Sequence, residues 1–181
     1  MKNRVKQPID AVAAVSYNCN ARCSMCDIWR ITDHSKDLRK EDFLKLPSSL
    51  KFVNISGGET FLRQDIVEIF RNVRSSCPKA YIIFSTNGFM SELITARVSE
   101  ILKFDKRFGV AVSIDGVGPT HDRIRGIQGV FKKCMKTIEA LKDLGLKDIR
   151  IAYTLTQDNW YDFHKVQKLA QKLKVDFTCS S

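Results

Sequence analysis

Short apolar runs alternate with longer stretches of helical periodicity along almost the whole chain. Six of the runs have the length and the β-branched and aromatic content of buried strands: 11–16, 52–56, 80–85, 110–114, 149–155 and 175–178. The stretches between them repeat apolar residues on one helix face, over 38–46, 65–74, 91–103, 131–144 and 160–173. This alternation predicts an α/β fold with a parallel sheet, covered by helices through right-handed crossovers. The periodicity fits an open sheet and a barrel equally well.

Residues with known end preferences mark several helix boundaries. Ser91 begins the predicted helix 91–103, where its hydroxyl can cap an orphan backbone N–H. Gly145 follows the helix 131–144, at a position where a left-handed residue commonly ends a helix. The stretch 117–129 contains Pro119 and three glycines, and we predict a loop there.

The formal net charge of +10 raises the question of a nucleic-acid partner. Lys165, Lys168 and Lys172 recur at helical spacing, and no dense basic block with interleaved aromatics is present. This distribution favours a solvated lysine-rich surface over a nucleic-acid site. No apolar run approaches the roughly 20 residues of a membrane-spanning helix, and the run 11–15 is too short for a secretory leader. We therefore expect a cytoplasmic protein, a single domain over 1–181, and no membrane partner.

Three of the six cysteines crowd into eight positions, whereas Cys77, Cys134 and Cys179 stand alone. The cytosol keeps thiols reduced, so a disulfide framework is not expected there. Clustered cysteines in such a protein indicate a metal site. Cys134 lies at core spacing in its helix, which is typical of a small buried apolar residue.

The clustered cysteines are Cys19, Cys23 and Cys26, in a loop directly after the first predicted strand. A [4Fe–4S] cluster usually takes four thiolates, so three local cysteines would leave one iron open for a substrate. This C-x-x-x-C-x-x-C spacing resembles the signature of the radical S-adenosylmethionine (radical SAM) superfamily. The resemblance implies that the open iron is chelated by the amino and carboxylate groups of S-adenosylmethionine. Reductive cleavage would then release a 5′-deoxyadenosyl radical that abstracts a hydrogen atom from the substrate.

The residues around the third cysteine fit the same family with one departure. Met25 stands where the family usually has an aromatic residue, and its soft side chain can pack against a flat ring. By resemblance Met25 contacts the cofactor. Trp29 follows closely, and we expect it to shield the cluster from solvent.

Further motifs follow the second, third and fourth predicted strands. The segment Gly57-Gly58-Glu59-Thr60 resembles the family's GGE motif, which binds the methionine amino group, and its glycines let the backbone approach a ligand closely. Thr-Asn-Gly and Ser-Ile-Asp-Gly segments line the cofactor pocket in the family, which here implicates Thr86, Asn87, Ser113 and Asp115. Their alternative interpretation is a pair of Asx-type turns.

The stretch from His121 to Phe131 resembles the H-x-x-I-R-G…G-x-F segment of the branch that contains peptide maturases and sulfatase-maturing enzymes. In that branch an arginine neutralises the methionine carboxylate, which implicates Arg125, with Arg123 as the second choice. We expect His121 to pack within the loop. By the same resemblance, Leu155 and Thr156 border the adenine.

The family fold is a partial (βα)6 TIM-like barrel, open on one side. The strand pattern of this chain stops at the sixth strand, which indicates either a truncated barrel or a minimal core without the C-terminal auxiliary domain common in the branch. The function implied is radical initiation on a peptide or small molecule, with flavodoxin or ferredoxin as electron donor. The alternatives are an RNA-modifying enzyme of the same chemistry and a non-catalytic iron–sulfur or zinc protein. A zinc site would recruit Cys77, Cys134 or Cys179 as fourth ligand, and the chain has no second Cys-x-x-Cys pair.

Overall fold

The computed structural model describes residues 6–181 and contains six strands and five α-helices. The strands are β1 (Asp10–Ala14), β2 (Phe52–Ser56), β3 (Tyr81–Thr86), β4 (Phe108–Ser113), β5 (Asp148–Thr154) and β6 (Asp176–Ser180). The α-helices are α1 (Ile66–Ser76), α2 (Ser91–Leu102), α3 (Pro119–Arg125), α4 (Val130–Asp143) and α5 (Phe163–Leu173). Four short 3-10 helices lie at Ile28–Arg30, Lys40–Lys45, Thr60–Leu62 and Trp160–Asp162.

All six strands form one parallel sheet in the order of the sequence, from β1 to β6. Within the described residues β1 and β6 do not pair, so the sheet is not closed. This is the predicted α/β architecture, a partial (βα)6 barrel. The structure therefore selects the barrel-like arrangement that periodicity alone left open.

The two faces of the sheet differ in chemistry. One face carries Ile55 and Phe84 into the main apolar core, where Phe84 stacks on Phe70 of α1 with ring centroids 5.7 Å apart. The other face carries Asn54 and Ser85, whose side chains hydrogen-bond at 2.9 Å. Because side chains alternate along a strand, helices cover one face while small and polar groups line the inside of the partial barrel.

Most element boundaries agree with the predictions to within three residues, and β2 agrees fully. Gly145 is confirmed as the residue that ends α4: its φ is +77°, and its N–H donates to the Lys142 carbonyl at 2.8 Å. The prediction that Cys134 is a core residue is also confirmed, because it is fully buried. Lys165, Lys168 and Lys172 are exposed, as expected for a solvated helix face.

Four local predictions were wrong. The segment 38–46 forms only the short 3-10 helix Lys40–Lys45, and the helix predicted from residue 160 starts as 3-10 and becomes α-helical at Phe163. Ser91 is the buried first residue of α2, and no side chain caps that helix, because Met90 occupies the N-cap position. The predicted loop 117–129 contains α3, which begins at Pro119 and is followed by Gly126 in the left-handed region. Proline at the first helical position and glycine just past the last favour such a short helix.

No helix among residues 6–181 combines the length and the apolar character that crossing a membrane requires.

Candidate functional site

The three clustered cysteines converge on one cavity of about 210 Å³ at the carboxyl ends of the strands. All three are free thiols; Cys23 is buried, Cys19 is half-buried and Cys26 is exposed. Ligands of parallel α/β folds gather at this edge of the sheet. The cysteine loop thus lies where the fold provides a ligand site.

Backbone hydrogen bonds hold the cysteine loop against two distant parts of the chain. Towards β2, the N–H of Gly58 donates to the Ser16 carbonyl and the N–H of Glu59 to the Asn18 carbonyl, each at 2.7 Å. Towards α3, the N–H of Arg22 donates to the Arg125 carbonyl at 3.0 Å, and the N–H of Ser24 to the Ile124 carbonyl at 2.9 Å. The C-terminal carbonyls of α3, which have no partner inside the helix, therefore act as a template for the loop.

Three glycines make these close approaches possible. A Cβ at Gly57 would lie 2.3 Å from the Ser16 carbonyl oxygen, and one at Gly58 would lie 2.2 Å from that of Asn18. A Cβ at Gly126 would lie 2.2 Å from the Arg22 carbonyl oxygen. The predicted Gly57-Gly58 pair thus serves contact with the cysteine loop as well as lining the cavity.

Glu59 does not line the cavity and is fully buried beside it. Its carboxylate accepts the Thr86 hydroxyl at 2.7 Å, the Asn87 N–H at 2.7 Å and the Phe61 N–H at 3.2 Å. Burial raises the pKa of the Glu59 carboxyl although these three donors favour the charged form. Glu59 thereby joins the end of β2 to the end of β3.

Two further predicted residues reinforce this junction. Thr60 is buried and donates its hydroxyl to the Ser85 carbonyl at 2.8 Å. Asn87 lines the cavity and donates its amide to the Asn20 side chain at 2.6 Å, which links the end of β3 to the cysteine loop.

Among the described residues that line the cavity, Arg125 alone carries a cationic side chain. It is buried, and its Nη2 lies 2.5 Å from Oδ2 of Asp115, which is fully buried. Its Nη1 lies 3.6 Å from Cys23 Sγ. Burial alone would lower the pKa of the guanidinium, but the charges of Asp115 and Cys23 outweigh it and raise the pKa. Arg123, the second choice, is exposed and donates to the Asp158 carbonyl and the Tyr161 hydroxyl, away from the cavity.

His121 and Cys134 lie behind the cavity. His121 is fully buried, and its Nδ1 accepts the Asp115 N–H at 3.1 Å. Burial lowers its pKa to about 3, so the ring is neutral at physiological pH. Burial raises the pKa of Cys134 to about 12, and its thiol donates to the Asn87 carbonyl at 3.1 Å. Both residues support the strand-end turns and neither reaches the cavity lining.

The remaining predicted residues divide between the lining and its surroundings. Met25, Thr86 and Ser113 line the cavity, whereas Asp115 contacts it only through Arg125. Leu155 lies outside the lining, and its N–H donates to the Ser180 carbonyl at 2.7 Å. Sequence reasoning missed several lining residues, namely Ala21, Ile28, Ser56, Ser85 and Thr154. Three of these carry hydroxyls at or near strand ends. The alternation of inward and outward side chains along the strands is the signal that could have identified them.

The donor set fits a thiolate-bound iron–sulfur cluster. Burial raises the pKa of both Cys19 and Cys23, and for Cys23 the neighbouring Arg125 opposes that rise most strongly. A cationic donor beside a buried thiol favours the thiolate that iron requires. Trp29 lines the cavity and donates its indole N–H to the Cys23 carbonyl at 3.4 Å.

The cysteines that the zinc alternative would recruit as a fourth ligand lie away from the cavity. Cys77 and Cys134 are buried in the apolar core, and Cys179 is exposed on β6. None of the three lines the cavity.

One protein-family profile matches most of the chain. The profile described as "Radical SAM superfamily" matches residues 14–170. Members of this superfamily use a [4Fe–4S] cluster and S-adenosylmethionine.

Curated relatives share about a quarter of their residues with this chain. Fe-coproporphyrin III synthase of Methanosarcina barkeri is 26% identical over 96% of this chain and 43% of its own length. The sporulation killing factor maturation protein SkfB of Bacillus subtilis is 26% identical over 84% of this chain and 37% of its own. The chain therefore spans less than half the length of these two proteins.

Solved structures share the fold. SuiB of Streptococcus suis, in a crystal structure bound to S-adenosylmethionine, superposes with a TM-score of 0.78 and 19% identity over 95% of this chain and 40% of its own. The same protein bound to the precursor peptide SuiA superposes with a TM-score of 0.76 and 20% identity.

Proposed function

The chain belongs to the radical SAM superfamily, and from that premise we propose that it is the catalytic core of an enzyme that modifies a peptide. The observation that carries the proposal is the convergence of Cys19, Cys23 and Cys26 on a cavity that also contains the Gly57-Gly58 backbone and Arg125. One short loop supplies the soft ligands, and four strand ends supply polar groups around them. Neither a structural metal site nor a plain turn cluster needs this combination.

In this proposal each part of the cavity has a distinct task. The three cysteines hold the cluster, and the backbone of Gly57 and Gly58 admits the methionine end of the cofactor. When bound, the cluster and S-adenosylmethionine supply one-electron cleavage of the sulfonium bond and a carbon radical that abstracts hydrogen from the substrate. Trp29 lines the cavity and Cys23 is buried beside it, and together they keep water from the reacting centre.

Arg125 has both terminal nitrogens engaged, by Asp115 and by Cys23. Its Nε has no hydrogen-bond partner within the described part of the chain. We assign this nitrogen to the methionine carboxylate, since a buried donor without a partner is costly to keep. Arg125→Ala should then weaken cofactor binding while iron stays bound.

A peptide substrate is supported by two of the similar proteins. SkfB is named as a maturation protein, and SuiB was crystallised with a precursor peptide. A small-molecule substrate is the alternative, favoured by the name of the coproporphyrin synthase. RNA modification rests only on the net charge of +10, and the lysines that carry much of it lie on the exposed faces of α4 and α5.

The proposal also includes an electron donor, a flavodoxin or ferredoxin. A groove lined by Cys19, Arg22, Trp29 and Arg30 lies on the outer side of the cysteine loop. Two arginines beside a proposed cluster ligand suit a redox protein with a negative surface. Cytoplasmic location belongs to the same proposal, since reduced thiols are kept there. So does a single core domain over 1–181, of which residues 1–5 lie outside the described part.

The experiment is anaerobic reconstitution followed by incubation with dithionite and S-adenosylmethionine. We expect 5′-deoxyadenosine and methionine in chromatography coupled to mass spectrometry, and no product from Cys23→Ala. A fully loaded cluster that yields no 5′-deoxyadenosine would falsify the proposed chemistry in this chain. Adding candidate precursor peptides and following their mass then separates peptide from small-molecule substrates.

A further inference from the structure

Arg125 joins a buried thiol to a buried carboxylate. The guanidinium lies 3.6 Å from Cys23 Sγ on one side and 2.5 Å from Asp115 Oδ2 on the other. The Asp115 side chain is held in place because its Oδ1 accepts the Thr154 N–H at 2.8 Å. The guanidinium therefore contacts both the thiol and the carboxylate, and the backbone holds the carboxylate beside it.

The two charges do not cancel at Cys23. The guanidinium contacts the Cys23 sulfur through Nη1, whereas Asp115 Oδ2 contacts the other terminal nitrogen, Nη2. Because the interaction of two charges weakens with distance, the positive charge that is in contact with the sulfur dominates there. A net positive potential thus acts on the sulfur in a buried, weakly screened environment.

We propose that Arg125 is a positioning residue that raises the reduction potential of the cluster through Cys23, and that Asp115 limits the rise. Both an N–H donor to a ligating sulfur and nearby positive charge stabilise the reduced, more negative form of an iron–sulfur cluster. The inference rests on the proposed function, because it requires the cluster on Cys23. It adds a role to Arg125 that needs no bound S-adenosylmethionine.

Substitutions of Arg125 and Asp115 should shift the reduction potential in opposite directions. Arg125→Gln removes the positive charge and leaves the carboxylate, so the potential should become more negative. Asp115→Asn keeps an oxygen for the Thr154 N–H and leaves the guanidinium without its counter-charge, so the potential should become more positive. A residue that only supported the fold would not move the potential in two directions.

The test is a potentiometric titration of the reconstituted protein without S-adenosylmethionine, in which electron paramagnetic resonance follows the one-electron reduced cluster. Arg123→Gln is the matched control, because Arg123 is an exposed arginine of the same helix. The reduction potential of the cluster in this variant should equal that of the wild type. Removing one member of a buried ion pair can prevent folding. The double variant Arg125→Gln/Asp115→Asn avoids an unpaired charge and should lie below the wild type, since the nearer charge is the positive one.

The outcomes separate this inference from the function it rests on. Wild-type protein that takes up no cluster would remove the proposed function. The other outcome is that the wild type and the variants all take up the cluster. Equal reduction potentials, or shifts of the same sign in both single variants, would then overturn the role of Arg125 and leave the function intact.

Discussion

Replacing Gly126 by alanine tests whether the end of α3 shapes the cysteine loop. Gly126 has a φ of +71°, and an added Cβ would lie 2.2 Å from the Arg22 carbonyl oxygen. Ordinary carbon–oxygen contacts are about 3.3 Å or longer, so the loop must move by about 1 Å. The left-handed backbone costs alanine about 1–2 kcal/mol, and loss of the Arg22–Arg125 backbone bond adds about 1 kcal/mol. We therefore expect a loss of about 2–3 kcal/mol in the free energy of unfolding.

Gly129→Ala is the matched control. Its φ is +80°, and nothing lies within 4 Å of an added Cβ, so it carries the backbone strain without the contact. Metal–ligand distances tolerate only about 0.2 Å, which means that a 1 Å displacement between Cys19 and Cys23 should reduce cluster loading severalfold. Iron and sulfide per chain after anaerobic reconstitution measure loading, and urea unfolding measures stability. Equal loading of Gly126→Ala and Gly129→Ala would refute the idea that α3 templates the loop.

Three further predictions concern buried side chains. Cys23→Ala should abolish iron uptake while Cys134→Ala leaves it intact, since Cys23 lines the cavity and Cys134 does not. Equal losses of iron in both variants would show that the ligand assignment is wrong. Burial lowers the pKa of His121 to about 3, so on acidification the imidazole is protonated in the unfolded chain before it is protonated in the folded one. The free energy of unfolding should therefore fall by up to about 1.4 kcal/mol per pH unit as the pH drops below about 6.5. Urea titrations of His121→Gln should show a flatter dependence between about pH 6.5 and 5, and parallel curves would contradict this reasoning. Glu59→Gln replaces one accepting oxygen by an NH2 donor, which then faces the backbone N–H of Asn87 or Phe61. The change should cost about 2 kcal/mol, measurable by thermal or urea unfolding, and unchanged stability would mean that the carboxylate is not the junction described.

The strands and the order of the strand-end motifs were predictable because both depend on local pattern. Parallel strands buried on both faces read as short apolar runs, and the glycine-containing ends of β2, β3 and β4 follow them directly. The cysteine loop was predictable for the same reason, since its three thiols lie within eight positions.

The helix α3 was missed because its signal is short. Seven residues give fewer than two full periods, and Pro119 and Gly126 are as typical of loops as of helix ends. Without the helix, the preference for Arg125 over Arg123 rested on the family resemblance alone. Residues two apart on a helix point about 200° apart, which places Arg125 towards the cavity and Arg123 towards solvent.

Thr154, the last residue of β5, lines the cavity, whereas Leu155, which follows the strand, does not. Long-range pairs were not readable at all: the contact of Arg125 with Cys23 joins positions about a hundred residues apart. No local periodicity encodes such a meeting.

The template that α3 provides also sets an order of events during synthesis. The cysteine motif emerges from the ribosome long before Ile124 and Arg125, whose carbonyls hold Ser24 and Arg22. At about 5–20 residues per second, roughly 5–20 seconds pass before the loop can take its final shape. Iron delivered earlier would meet three thiols on a mobile segment, so a cell that makes this protein gains from loading it only after translation has passed α3.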